Sequence, residues 1–251
     1  MSRCSSKQNA AKRCVTKHYD RQPFPQTGLL ADNMNWQLGP LRKKIGQSQA
    51  IVYCYVIATI ENQHGHFVQR GSGPNFQGDL ITLCTCKHYM RTFMDAGDWK
   101  GKWVAGFTGV KAGEGKNFLV YLMQVSHAFK SHYDFWNNTG IISDETKQVK
   151  ATHSNNFGDI YEPRRETKKF DPQSYISPRK SHVHFPDYHW HKDIDYIGCS
   201  ERRAALLVGD VKSSFLWDKP MIFYTHPNLP RGQKKFELAD LSKRLKTGPR
   251  L

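Results

Sequence analysis

The sequence predicts an α+β domain on a curved or barrel-like, mostly antiparallel sheet, with a few short helices and long loops. Three observations predict it. Runs rich in β-branched and aromatic residues come first and recur along the chain, whereas helical periodicity is confined to short pieces. The runs are joined by Gly-, Asn- and Pro-containing stretches and show no β-α-β rhythm. No internal repeat sets up a solenoid.

Taken in order, residues 1–49 are polar and basic, contain Pro23, Pro25 and Pro40, and have little periodicity, so they read as a flexible arm with at most a helical piece over 38–45. Residues 51–60 are almost continuously apolar and predict a central strand buried on both faces. After a loop over 61–73 comes the stretch 73–103, which reads as loop, strand, turn, helix, turn and strand. Within it Tyr89, Met90, Phe93 and Met94 share one helical face, Thr85 is the expected N-cap, and Gly97 the expected stop. The runs 102–107 and 117–125 predict a hairpin across the Gly-rich turn 112–115. Gly113-x-Gly115 joins two strands instead of opening a helix, which separates it from a dinucleotide fingerprint. An aromatic-rich turn or short helix follows over 127–136. The signal then fades from 137 to 181, apart from 157–163. Strands at 204–210 and 221–224 close the domain, and 226–251 reads as a basic tail with a short amphipathic helix at best.

Length and composition bound the function. A chain of 251 residues can bury a real core, and 12% aromatics exclude a disordered chain despite a mean hydropathy of −0.66. No apolar run approaches the roughly 18 to 20 residues of a membrane span, and the N-terminus lacks an apolar signal region, which leaves the cytoplasm as the default location. The net charge of +15 sits at the two ends: residues 1–50 hold 9 Lys and Arg against 2 acids, residues 226–251 hold 7 against 2, and the 175 residues between hold 21 against 18. Such ends bind phosphate backbones by counterion release, and they also serve as solubilising tails. Cysteines at 4, 14, 54, 84, 86 and 199 form no disulfide framework in this context, and no cofactor fingerprint is present.

Four sets of side chains carry candidate chemistry. Lys87 and Arg91 fall one turn apart at an expected helix start, which is an anion site or a solvated face. Cys84 and Cys86 alternate on one face; either is a candidate nucleophile, with Lys87 lowering its thiol pKa and Asp98, Asp159 or His182 as acid or base. His182, His184, His189 and His191 form two alternating pairs, the best metal candidate in the chain, although a surface strand and loop with nearby carboxylates is the more ordinary explanation. Asn75 and Phe76, Asp98 and Trp99, and Tyr133 and Trp136 lie at expected strand ends, with Tyr161 in a further short run. Each brings an aromatic ring near a hydrogen-bonding group, the combination a flipped or free base requires.

Several of these pieces resemble, in order, the nucleotide modification associated domains of the second type, found in phages and bacteria beside DNA base-modifying enzymes. They are Tyr53-x-Tyr55-Val56, Pro74-Asn75-Phe76 with Gly78, Thr82-Leu83 with Cys86-Lys87 and Arg91, Gly97-Asp98-Trp99, Val120-Tyr121-x-Met123-x-Val125, Tyr133-x-x-Trp136, Gly158-Asp159-Ile160-Tyr161, Ser181-His182, and Leu206-Leu207 before Phe215. The likeness covers 51–224 and leaves both basic ends outside. A looser likeness links Gly97-Asp98 and Tyr133-x-x-Trp136 to PUA-like domains of the EVE and YTH kind, which implies a small barrel holding one base. The resemblance implies recognition or processing of a modified base, with DNA or a nucleotide as partner. Its alternatives are an enzyme of base hypermodification using Cys84 or Cys86, and a tether for a DNA-modifying enzyme.

Overall fold

The unbroken apolarity of residues 51–57 places that segment in the middle of the sheet. A computed structural model describes residues 21–179, 190–225, 229 and 232–248. There β1 (Ile51–Ile57) pairs in parallel with β5 (Trp103–Thr108) and, on its other side, antiparallel with β9 (Gln233–Glu237). The hairpin partner of β5 is β6 (Asn117–Phe129), as the patterning predicts. The far edge of β6 is shared by β7 (Leu206–Leu216) and β8 (Ile222–Tyr224). Short strands extend these edges, β4 (Thr82–Leu83) on β7 and β10 (Leu245–Thr247) on β8. A separate hairpin joins β2 (Ile60–Gln63) to β3 (His66–Gln69).

The main sheet has eight strands, and six of them curl into a half-barrel. The register shifts at Gly106/Phe107 in the hairpin and at Met123/Val125 and Val125/His127 between β6 and β7, and an unpaired residue at such a point adds local twist. At Gly106 the Tyr121 ring crosses the backbone where a Cβ would sit, so only glycine fits. Alternation along β1 feeds two cores. Tyr53, Tyr55 and Ile57 face a core with Leu83, Trp99 and Tyr121, while Val52, Cys54 and Val56 face one with Phe107, Leu122 and Trp217.

The second core corrects the expectation of a flexible arm up to residue 49. Residues 21–49 pack: α1 (Leu29–Asp32) buries Leu30, and α2 (Leu38–Ile45) buries Leu38, Leu41 and Ile45 at helical spacing. Asp79 accepts from the backbone N–H groups of Leu29 and Leu30 at 3.0 and 2.7 Å and caps α1. Buried Gln22 donates to the Gly71 carbonyl at 2.9 Å. Residues 1–20 lie outside the described residues. The expected tail is likewise part of the sheet, because β9 lies against β1 and α7 (Leu238–Arg244) buries Leu238 and Leu241 in the same core as α2.

The helix expected after Thr85 is shorter than its pattern. Only α3 (His88–Arg91) is α-helical, with Lys87 and not Thr85 at its N-cap, and Gly97 lies inside a separate 3-10 turn, Ala96–Trp99. Four residues align too few peptides for a useful dipole, so an anion site cannot rest on this helix start. Further on, α4 (His132–Trp136) and α5 (Asp144–Lys150) are each N-capped by a serine, Ser131 and Ser143, whose hydroxyls accept from Asp134 N–H and Thr146 N–H. A further short helix, α6, spans Lys192–Asp195. Among the described residues no helix is long and apolar enough to cross a membrane.

Candidate functional site

The chain leaves β4 through Cys84 and Thr85 and then turns sharply, with Cys86 and Lys87 both in the left-handed region at φ 55° and 48°. Two successive residues with side chains seldom hold that conformation, which costs each about 1–2 kcal/mol. Arg91 holds the turn from beneath. Its Nε donates to the Cys86 carbonyl at 2.9 Å, and Nη1 donates to the Ala205 carbonyl at 2.6 Å, tying the turn to the start of β7. The guanidinium is wholly buried, and its Nη2 has no hydrogen-bond partner among the described residues. A buried charge-assisted donor left unused is costly and calls for an acceptor.

Asp193 on α6 faces this turn. Its carboxylate, almost fully buried, meets His88 Nε2 at 2.5 Å and accepts from the Tyr161 hydroxyl at 3.0 Å. Trp190 stacks on Tyr161 with centroids 5.2 Å apart, and Tyr196 lies 5.1 Å from the His88 ring. His132 lies edge-on to Tyr161 and accepts the Tyr161 backbone N–H on Nδ1 at 3.2 Å. Burial pushes its pKa down to about 3, so the ring is neutral at pH 7. With Nδ1 accepting, the proton sits on buried Nε2, on the side of the ring where the Asp193 backbone acts on it.

The electrostatics decide against an activated thiol. Burial first, and then Asp193, push Cys86 up to about 11, and Arg91 and Lys87 offset only part of this. Cys84 is raised well above the ordinary thiol value by burial and by Asp159. Both thiols are therefore protonated at pH 7, against the expectation that Lys87 would lower them. Lys87 is itself lowered by burial, with its Nζ 4.7 Å from the Tyr55 ring centre. The Tyr55 hydroxyl lies 2.9 Å from that of Tyr121.

A second, closed cluster adjoins the first. Lys150 Nζ donates to Asn75 Oδ1, the Leu80 carbonyl and Thr82 Oγ1 at 2.6, 2.8 and 3.1 Å. Thr82 donates to Asp159 at 2.9 Å, and Asp159 also accepts the Cys84 backbone N–H at 3.2 Å. Burial lowers Lys150 to about 8 and raises Asp159, while each charge partly offsets the other's shift. Asn75, Lys150 and Asp159 have no exposed surface, so this cluster frames the loop 73–83.

The other sequence-predicted residues are spread over the surface and the core. Phe76 is buried against Phe24 at 4.7 Å, and Trp99 against Tyr53 at 4.9 Å. Asp98 is exposed on its 3-10 turn. Tyr133 lies beneath Lys169, and partly buried Trp136 beside His153. Among the described residues no hydrogen bond joins any two of Asn75, Asp98 and Trp136. A cleft of about 460 Å³ opens instead between residues 23–28, 76–79 and α5, and Cys86, Arg91 and Asp193 do not line it.

His182, a candidate acid or base as well as a ligand, lies with His184 and His189 outside the described residues, and His191 packs on Trp190 at 4.4 Å. Among the described residues no group of three His, Cys, Asp or Glu side chains is arranged to hold a metal. Sequence reasoning missed His132, Lys150 and Asp193. Only Lys150 carried a local signal, as the last residue of a helix announced by Ser143-Asp144-Glu145.

No curated protein and no solved structure matches the chain. The family model described as nucleotide modification associated domain 2 matches residues 49–197, more than half of the sequence. The match begins at β1, includes the Cys86–Lys87 turn, Tyr161 and Asp193, and ends before β7. The chain belongs to the nucleotide modification associated domain 2 family.

Proposed function

We propose that the domain binds a nucleotide, free or within DNA, at the turn formed by Cys86 and Lys87, and that it recognises the base without covalent chemistry. The buried guanidinium of Arg91, with Nη2 unused directly behind this left-handed turn, carries the reading. Strain of that kind collects where a fold holds side chains for a ligand. Arg91 and the partly exposed Lys87 supply charge for a phosphate or a base carbonyl. Trp190 and Tyr196, both partly exposed, supply rings at the same place, with Trp190 backed by buried Tyr161, and stacking on a ring is worth about 1–3 kcal/mol per base. Family membership supports a role beside nucleotide modification, and a modified base is the ligand that fits it.

One observation favours a second reading, an enzyme acting on the base. The contact of Asp193 with partly exposed His88 orients an imidazole as a general acid or base. Incubating the purified protein with plain and modified deoxynucleotides and short oligonucleotides, while measuring binding by calorimetry and products by mass spectrometry, separates the two. The binding reading predicts saturable binding with the nucleotide recovered unchanged. Turnover that disappears in His88→Gln would replace it with the enzyme, and absence of binding would remove both.

A further inference from the structure

Two basic segments, 38–45 and 232–248, pack against each other. Arg42, in the last turn of α2, donates to the Ser242 and Leu245 carbonyls, through Nη2 at 3.3 and 2.7 Å, and so fastens α2 to the end of α7 and the start of β10. Beside them β9 runs along the edge of β1, with Phe236 opposite Val52. Lys234 Nζ and Arg244 Cζ lie 5.2 and 5.5 Å from the Phe236 ring centre, one from the strand and one from the helix. Lys43, Lys44, Lys234, Lys243 and Lys246 are exposed. Together 38–45 and 232–248 hold eight Lys and Arg against two acids, and both segments fall outside the family match at 49–197.

Simpler causes explain some of these charges singly. Cations suit a helix C-terminus, which covers Lys43, Lys44 and Lys243, and lysines protect an edge strand such as β9. Neither cause requires segments about 200 residues apart in sequence to be fastened together, as Arg42 fastens α2 to α7 and β10. We propose that α2, β9, α7 and β10 form a single cationic face that binds the phosphate backbone of a nucleic acid, apart from the Arg91 turn. Among the described residues the exposed large apolar side chains are Leu29, Tyr89, Val110, Ile141, Val149 and Ile197, and none of them lies on these four elements. The face thus lacks what insertion into a membrane or a hydrophobic protein interface would use, and a repeating polyanion is the partner that suits it.

The test is fluorescence anisotropy with labelled single-stranded and duplex oligonucleotides of about 20 nucleotides, between about 50 and 200 mM salt. Two variants neutralise the face from opposite ends of the chain, Lys43→Gln with Lys44→Gln, and Lys234→Gln with Lys246→Gln. Lys130→Gln with Lys212→Gln removes the same charge from the end of β6 and from β7. The proposal predicts that each face variant lowers the slope of log affinity against log salt by about 1 to 2, as phosphate contacts are lost, while the control keeps the wild-type slope. Thermal melting confirms that all three pairs fold, since every substituted lysine is exposed. Mononucleotide binding at the Arg91 turn stays unchanged in the face variants, which keeps the two proposals separable. An equal loss in the control overturns the proposal, because net charge alone would then explain binding. So does binding to phosphatidylserine vesicles with none to oligonucleotides.

Discussion

Lys150 donates to the side-chain carbonyl of Asn75 at 2.6 Å, and neither residue has any surface exposed to water. That contact places Asn75, which the sequence suggests for a base edge, in the frame that supports the Cys86 turn. The same ammonium satisfies Leu80 and Thr82, and Thr82 passes the connection to Asp159. Replacing Lys150 by Met would take the ammonium from three acceptors and the neighbouring cation from the buried Asp159 carboxylate. We expect a loss of about 3–5 kcal/mol in denaturant unfolding, as for breaking one side of a buried ionic pair. A loss below about 1 kcal/mol would show that the frame does not depend on the lysine.

His132 predicts an acid limit to stability. Its folded pKa lies near 3 against an ordinary 6.5, so between those values the unfolded chain binds the extra proton. Its contribution is complete above about pH 6.5 and is lost as pH falls toward 3. Unfolding free energy measured from pH 7 to 4 should decline more steeply in the wild type than in His132→Gln, with a difference on the order of a few kcal/mol. Parallel curves would mean that the ring is not held neutral.

The thiol of Cys86 should be slow to alkylate. With its pKa pushed up to about 11, its thiolate fraction near pH 7 is roughly a hundredfold below that of an ordinary cysteine. Peptide mapping after a timed iodoacetamide pulse would give that ratio directly, and Cys86→Ser should bind nucleotide as the wild type does. Fast modification at pH 7, blocked by nucleotide, would revive the nucleophile.

Much of the sheet was legible because its evidence is local. The apolar run of β1, the hairpin of β5 and β6, and the strand β7 are each written in consecutive residues. What completes the sheet is not local, since β9 pairs with β1 from Ile51 opposite Glu237 to Tyr55 opposite Gln233, about 180 residues away in sequence. A stretch as charged as 232–237 shows nothing of that partner in its own composition. The same holds for the site. Cys86, Lys87, Arg91, Asp159 and Tyr161 stood out from the sequence, but Asp193 joins His88 across 105 positions and Tyr161 across 32. Trp99 misled for the opposite reason, because an aromatic beside Gly97-Asp98 looks the same in sequence whether it lines a pocket or fills the core.

The most direct test is a calorimetric titration of the wild type and Lys87→Gly with plain and modified deoxynucleoside monophosphates. Glycine suits the backbone at φ 48°, so this variant removes the ammonium while keeping the turn. Binding at the turn predicts saturable affinity in the wild type and at least a tenfold loss in the variant, about 1.4 kcal/mol, with melting temperature preserved. Undiminished affinity in a folded Lys87→Gly protein would contradict it.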